Sequence, residues 1–219
     1  MKKLNLFISF EGGEGTGKTT ISKLVKEELE KRGEEVFLTR EPGGNGLEFA
    51  EKIRELIMNH SDIDPITELL LFNASRREHI LKKIKPELER GKIVISDRFE
   101  DSTIVYQGVA KGVDEKMIRE INKITVQDFS PSLVFIFNLN PKFGLSRISD
   151  NEDRIEKNRF DEENFKFHKK IQKGYLNLKK TNKDKYIVVD ALKPMNEITK
   201  FIIDKLYEYE NKINKKSRN

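Results

Sequence analysis

The chain has 219 residues, 36% of them hydrophobic and 36% charged, with a formal net charge of +5 and a pI near 9.1. That length fits one large α/β domain or one core with a small insert, and the absence of cysteine excludes a disulfide framework and a thiolate metal centre. No apolar run approaches the roughly 20 residues of a membrane span, and Met1-Lys2-Lys3 leads too short an apolar segment for a signal peptide, so a cytoplasmic protein with no membrane partner is expected.

The first apolar run, residues 4–10, leads straight into Gly12-Gly13-Glu14-Gly15-Thr16-Gly17-Lys18-Thr19. Helical spacing follows over residues 17–32, marked by Ile21, Leu24, Val25 and Leu29. Strand, Gly-rich turn and helix in that order make a phosphate-binding loop, because the backbone N–H groups of the turn and the helix N-terminus then point at phosphate oxygens. Gly12, Gly15 and Gly17 permit the turn, Lys18 supplies a point charge, and Thr19 offers a hydroxyl to Mg²⁺. Chance yields this pattern in only about 1% of chains of this length, so a nucleoside triphosphate site is expected.

A second run at residues 36–39 precedes a helical stretch at 47–59, which carries Arg54, and another at 65–90, where Phe72 and Arg76 share a face at i, i+4. The third run, 93–96, ends in Asp97-Arg98; a carboxylate at that strand end suits Mg²⁺ or its water, opposite Thr19. A helix over 114–128, a strand over 133–139, a basic helical stretch near 147–180, a strand over 186–189 and a helix over 195–213 complete the walk. Alternating strands and helices predict a doubly wound parallel sheet of five strands, with ligands at the strands' carboxyl ends. Residues 149–160, SDNEDRIEKNRF, are charge-dense and form a candidate lid, and 212–219 read as a basic, frayed tail.

The positive charge suits a nucleic acid or a small anionic substrate; without a basic stripe interleaved with aromatics, no nucleic-acid partner is expected. A GTPase needs Asn-Lys-x-Asp, and the nearest string, Asn182-Lys183-Asp184-Lys185, has lysine where aspartate must read guanine. A motor core normally needs more chain. A small-substrate kinase remains, and it needs a second anion site. Arg54, Arg76 and Arg98 lie on segments that converge at the sheet's carboxyl edge, and guanidinium forks suit phosphate. Phe72 beside Arg76 offers stacking and hydrogen bonding to a planar base. Singly, Phe72 also suits the core, and Arg76 suits a pair with Glu78 or Glu68.

FEGGEGTGKTT (10–20), TREPGG (39–44), LLFNASRREH (70–79), DRFEDSTIVYQG (97–108) and DRIE (153–156) together resemble bacterial thymidylate kinase, in family order and over about residues 10–175. The resemblance implies a P-loop NTPase-type α/β fold with flanking helices and a short mobile lid, a single nucleoside monophosphate kinase domain over 1–211 with the lid at about 147–161, and a homodimer packed through helices. It implies transfer of the γ-phosphoryl of ATP to dTMP with Mg²⁺. Phe72 then stacks on thymine, Arg76 bonds its O4 edge, Thr103 and Gln107 complete the base contacts, and Tyr106 faces the deoxyribose 2′ carbon. Arg98 and Arg54 hold the dTMP phosphate, Glu14 meets the 3′-OH side, and Glu41 and Pro42 line the acceptor pocket. Some members carry an arginine where this chain has Gly15; members without it draw cations from the lid. Arg147, Arg154 and Arg159 are the candidates, Arg154 first for the transferring phosphoryl and Arg147 alternatively for adenine, opposite the loop at 191–194. Kinases of another nucleoside monophosphate and a non-catalytic nucleotide-binding module are the alternatives.

Overall fold

The computed structural model describes residues 6–150 and 159–216. Among them, β1 (Phe7–Gly12), β2 (Val36–Arg40), β3 (Ile93–Asp97), β4 (Leu133–Asn138) and β5 (Tyr186–Asp190) form a wholly parallel sheet in the order β2-β3-β1-β4-β5. Every residue of β1 is buried, as expected for a central strand covered on both faces. Side chains alternate across it. Ile8 and Phe10 join Ile95, Phe135 and Phe137 on one face, whereas Phe7 packs with Val94 and Phe99 on the other. Phe10 sits between Phe135 and Phe137 at ring-centroid distances of 5.6 and 5.2 Å, contacts worth about 0.5–1.5 kcal/mol each beyond the area they bury.

The helices follow local signals. Helix α1 (Lys18–Lys31) turns Ile21, Val25 and Leu29 onto the first face, and α2 (Glu48–Asn59) leads to α3 (Pro65–His79). Asp64 caps α3 by accepting from the N–H groups of Ile66 and Thr67, and Pro65 starts it with the φ it needs. The helix predicted over 65–90 is interrupted by a π-helical segment, Ile80–Ile84, before α4 (Lys85–Glu89). Pro86 explains the change. It has no N–H and its ring crowds the carbonyl four residues back, and the wider turn, closed by Lys85 N–H on the Ile80 carbonyl, lets the helix continue.

Residues 100–110, left without an element by the sequence, form α5 (Glu100–Thr103) and a second π segment, Ile104–Ala110. Their β-branched and aromatic residues disfavour helix, and burial of Ile104, Val105 and Tyr106 against the second face overrides that preference. Then come α6 (Glu115–Val126), α7 (Pro141–Ser149) and α8 (Phe165–Thr181), so the basic stretch expected near 147–180 divides between two helices. Most of the lid sequence, including Arg154, lies outside the described residues. Helix α9 (Met195–Lys216) runs through most of the tail that was expected to fray from 212.

This topology positions the site. Because β1 lies between β3 and β4, its carboxyl end releases the loop between two neighbouring strand ends, with Phe10 in register with both Asp97 and Phe135.

Candidate active site

The loop wraps its own lysine. Lys18 Nζ donates to the carbonyls of Gly12 and Gly13 at 3.2 and 2.8 Å and to Thr16 Oγ1 at 3.2 Å. Burial, helped by the nearby charge of Arg98, pulls its ammonium down to about 8. Beside it, Thr19 Oγ1 donates to Asp97 Oδ2 at 2.5 Å, so the strand-end carboxylate meets the loop hydroxyl as expected. An oxygen-only pair of hydroxyl and carboxylate fits Mg²⁺, which takes few protein ligands and completes its shell with phosphate and water.

Gly15 has a structural reason of its own. At φ +67°, a Cβ there would stand 2.0 Å from the Gly144 carbonyl oxygen, and a Cβ on Gly144 would stand 2.4 Å from the Glu14 carbonyl oxygen. The loop and α7 therefore touch through backbone, and any side chain at 15, arginine included, forces them apart.

Arg98 links the loop to β3. It adopts φ +70°, a left-handed conformation that turns its side chain back across the end of β1. Nη1 donates to the Gly12 carbonyl at 3.0 Å, Nη2 to Glu14 Oε1 at 2.6 Å, and the guanidinium lies 5.1 Å from the centre of the Tyr106 ring. Tyr106 Oη donates to the same Glu14 oxygen at 2.8 Å. Burial works against the charge on Arg98, yet Glu14 and the two tyrosines around it hold its pKa well above the usual value. Beneath, Glu11 accepts from Phe99 N–H, Ser102 Oγ and Tyr175 Oη at 2.7, 2.7 and 2.9 Å, and burial, then Asp101, push its carboxyl up to about 7.

Two cavities meet at this point. One, of about 390 Å³, is lined by the apolar Phe72 and Pro42, by the cations Arg54 and Arg98, and by Thr103, Tyr106 and Gln107. Glu41 also lines it, fixed by Arg76 Nε at 2.7 Å and His79 Nδ1 at 3.1 Å. The other, of about 660 Å³, follows the loop from Glu14 to Ile21 and is closed by Arg147 and residues of the 191–198 segment. Arg147 Nη2 donates to the Ala191 carbonyl at 3.2 Å, which brings it to the loop foreseen for it. Glu14, Lys18 and Thr19 line both cavities.

Two predicted residues stand elsewhere. Arg76 is only 2% exposed and does not line the first cavity. Its guanidinium serves Glu41, Asn73 and Asn122 Oδ1 and the Phe99 carbonyl, and so braces Glu41, which lines the cavity. Arg159, one of the three lid candidates, is paired with Glu68, with its guanidinium 4.8 Å from the Phe160 ring centre. Opposite charge at a fully buried carboxylate outcompetes solvent for it.

Sequence reading missed Arg40, Met58, Ser102 and Phe160 on the first cavity. Arg40 was detectable beside Glu41 in TREPGG, and Ser102 beside Thr103. Met58 and Phe160 carried no signal beyond being apolar. Glu11 carried one, a carboxylate inside an apolar strand directly before the loop.

The sequence model of a family described as Thymidylate kinase matches residues 10–202. The thymidylate kinase of Geobacillus sp. (strain WCH70) is 46% identical over 194 residues, 88% of this chain and 91% of that protein. That of Bacillus pumilus (strain SAFR-032) is 44% identical over 195 residues, again 88% and 91%. The crystal structure of thymidylate kinase from Ehrlichia chaffeensis superposes with a TM-score of 0.73 at 34% identity, covering 92% of this chain and 98% of that one. The matched span takes in every residue lining the two joined cavities, and the chain belongs to the thymidylate kinase family.

Proposed function

We propose that this chain transfers the γ-phosphoryl of ATP to dTMP, giving dTDP and ADP. One observation carries the reading: two cavities of different character meet at Glu14, Lys18 and Thr19, so a donor phosphate and an acceptor phosphate can approach in line across one loop. ATP occupies the larger cavity, with its phosphates on the backbone N–H groups of residues 12–19 and adenine against Arg147. dTMP occupies the smaller one, with thymine on Phe72 and its phosphate between Arg54 and Arg98. Tyr106 bounds the deoxyribose. Its hydroxyl, held on Glu14, leaves a ring edge where a ribose 2′-hydroxyl would need room.

No covalent intermediate is needed. Phosphoryl transfer rests on positioning and on cations placed where charge spreads in the transition state. Bound Mg²⁺, held through Thr19 and Asp97, would neutralise the β- and γ-phosphate oxygens. Lys18 leaves the loop carbonyls for the triphosphate, and Arg98 fixes the attacking phosphate. The lid supplies the remaining cation, assigned to Arg154. No helix among the described residues is long and apolar enough to cross a membrane, and the location proposed for the enzyme is the cytoplasm.

The chain forms a homodimer through α2, α3 and α6, which pack side by side and leave Phe49, Leu56, Ile66, Leu70, Met117 and Ile124 exposed, Ile124 at 75%. Sedimentation equilibrium reads this directly: a dimer is expected, and a monomer at micromolar concentration contradicts it.

Turnover on dTMP, dUMP, dCMP and AMP tests the activity. The highest kcat/KM is expected on dTMP, and preference for AMP would sink the reading. The loop lysine gives a pH signature. A base whose pKa is lowered to about 8 is charged below that value and neutral above it, so kcat/KM for ATP holds below pH 8 and falls as pH rises through it. Lys18→Arg removes that alkaline limb while lowering kcat by about 10²-fold or more; a limb that survives unchanged in the variant assigns it to another group.

A further inference from the structure

Glu68 is fully buried in α3, within the first turn. Its Oε1 accepts from Gln107 Nε2 at 2.5 Å and from Lys111 Nζ at 3.0 Å, and its Oε2 accepts from Lys111 Nζ at 2.8 Å and from Arg159 Nη2. A carboxylate can only accept, so the end of Gln107 turned toward it must be the amide nitrogen. With Nε2 held there, the carbonyl Oε1 is the end of the amide left for the cavity that Gln107 lines.

Thr103 points the same way. Its hydroxyl proton goes to the Glu100 carbonyl at 2.7 Å, with Asn122 Oδ1 a further acceptor at 3.2 Å, so only lone pairs are left for the cavity. Asn122 Oδ1 is itself held by Arg76 Nη1 at 3.3 Å. Two neighbouring side chains on one wall of the cavity therefore present acceptors.

An unrestrained glutamine is indifferent to the base it meets. By rotating its amide it can present C=O to an imide N–H, as in thymine and uracil, or N–H to the bare ring nitrogen of cytosine. We propose that Glu68 is a positioning residue that sets pyrimidine specificity: by pinning the Gln107 amide it makes the cavity accept a base with an N3–H donor and reject one with an N3 lone pair. The assignment rests on the dTMP reading of the cavity. A cytosine N3 directed at a fixed carbonyl leaves two acceptors facing each other in a desolvated site, the kind of mismatch that a site built for a hydrogen bond rejects strongly. Lys111, on both carboxylate oxygens, and Arg159, on Oε2, keep the carboxylate in place.

The test compares kcat/KM for dTMP and dCMP in the full-length wild type, Glu68→Gln and Glu68→Asp. Glu68→Gln introduces a group that can donate as well as accept, so the Gln107 amide is free to rotate. The dTMP-over-dCMP preference is expected to fall at least tenfold, through a raised KM for dTMP with kcat changed less than threefold, and through a gain on dCMP. Glu68→Asp keeps an acceptor-only group and is expected to retain the preference even with lower overall activity. A Glu68→Gln enzyme whose preference stays within twofold of wild type overturns the proposal, as does a loss of preference equal in both variants. Should Glu68→Gln not fold, the wild-type protein decides: without ligand, one Gln107 side-chain N–H proton is expected to be protected from exchange by at least tenfold over a solvent-exposed amide, and an unprotected amide overturns the assignment. A wild type that leaves dTMP untouched refutes the dTMP reading instead, and the exchange measurement still judges the pinning.

Discussion

The ion pair between Glu14 and Arg98 is the constraint on which the rest of the site depends. It joins residues 84 apart in sequence at 2.6 Å, across the ends of two neighbouring parallel strands. Arg98 reaches it only by taking a left-handed backbone conformation, which costs on the order of 1 kcal/mol for a residue with a side chain. The surrounding contacts over-determine that conformation: the Gly12 carbonyl, the Tyr106 ring face and the Tyr175 hydroxyl all engage the same guanidinium. A partly buried pair of this kind adds little net stability, because desolvation offsets much of its attraction. What the pair secures is geometry: a cation fixed at the junction of two cavities before any phosphate arrives.

Buried polar groups extend that logic outward. Glu11, Ser102 and Tyr175 brace Arg98 from below, while Arg76 and His79 clamp Glu41 and Asn122 links Arg76 to Thr103. Glu68 does the same for Gln107 on the far side. Glu41, Thr103 and Gln107 on the cavity wall thus have their orientation set by partners that do not line it. Such networks are costly when half satisfied and rigid when complete, which suits a site that must recognise a small rigid base.

Much of this was legible in the sequence, for identifiable reasons. The strands announced themselves as short β-branched and aromatic runs, and the loop as glycines, lysine and threonine between a strand and a helix. Asp97 was placed opposite Thr19 from its strand end taken together with the loop motif and the adjacent Arg98, and the two side chains do meet. Less legible was anything decided by competition among buried charges. Arg76 and Arg159 read as phosphate or base ligands because arginine at those spacings suits anions, yet each found a buried carboxylate first, Glu41 and Glu68. Glu68 entered the sequence reading only as a candidate partner of Arg76, whereas it holds Gln107, Lys111 and Arg159. Gly15 read as a missing arginine, whereas its contact with Gly144 shows a backbone approach that spacing cannot reveal. The π segments were hidden because helical spacing over 65–90 does not show where Pro86 forces a wider turn, and the run from Ile104 argues against helix until tertiary packing reverses that.

A double-mutant cycle on Glu14 and Arg98 tests the account at its centre. kcat/KM for dTMP is measured in the wild type, Glu14→Gln, Arg98→Met and the double variant. If Glu14 acts by orienting Arg98, the double variant loses at least tenfold less than the product of the two single losses, a coupling of about 1.4 kcal/mol or more. Losses that simply multiply would show that the two residues act independently, and would contradict the claim that their pairing builds the site.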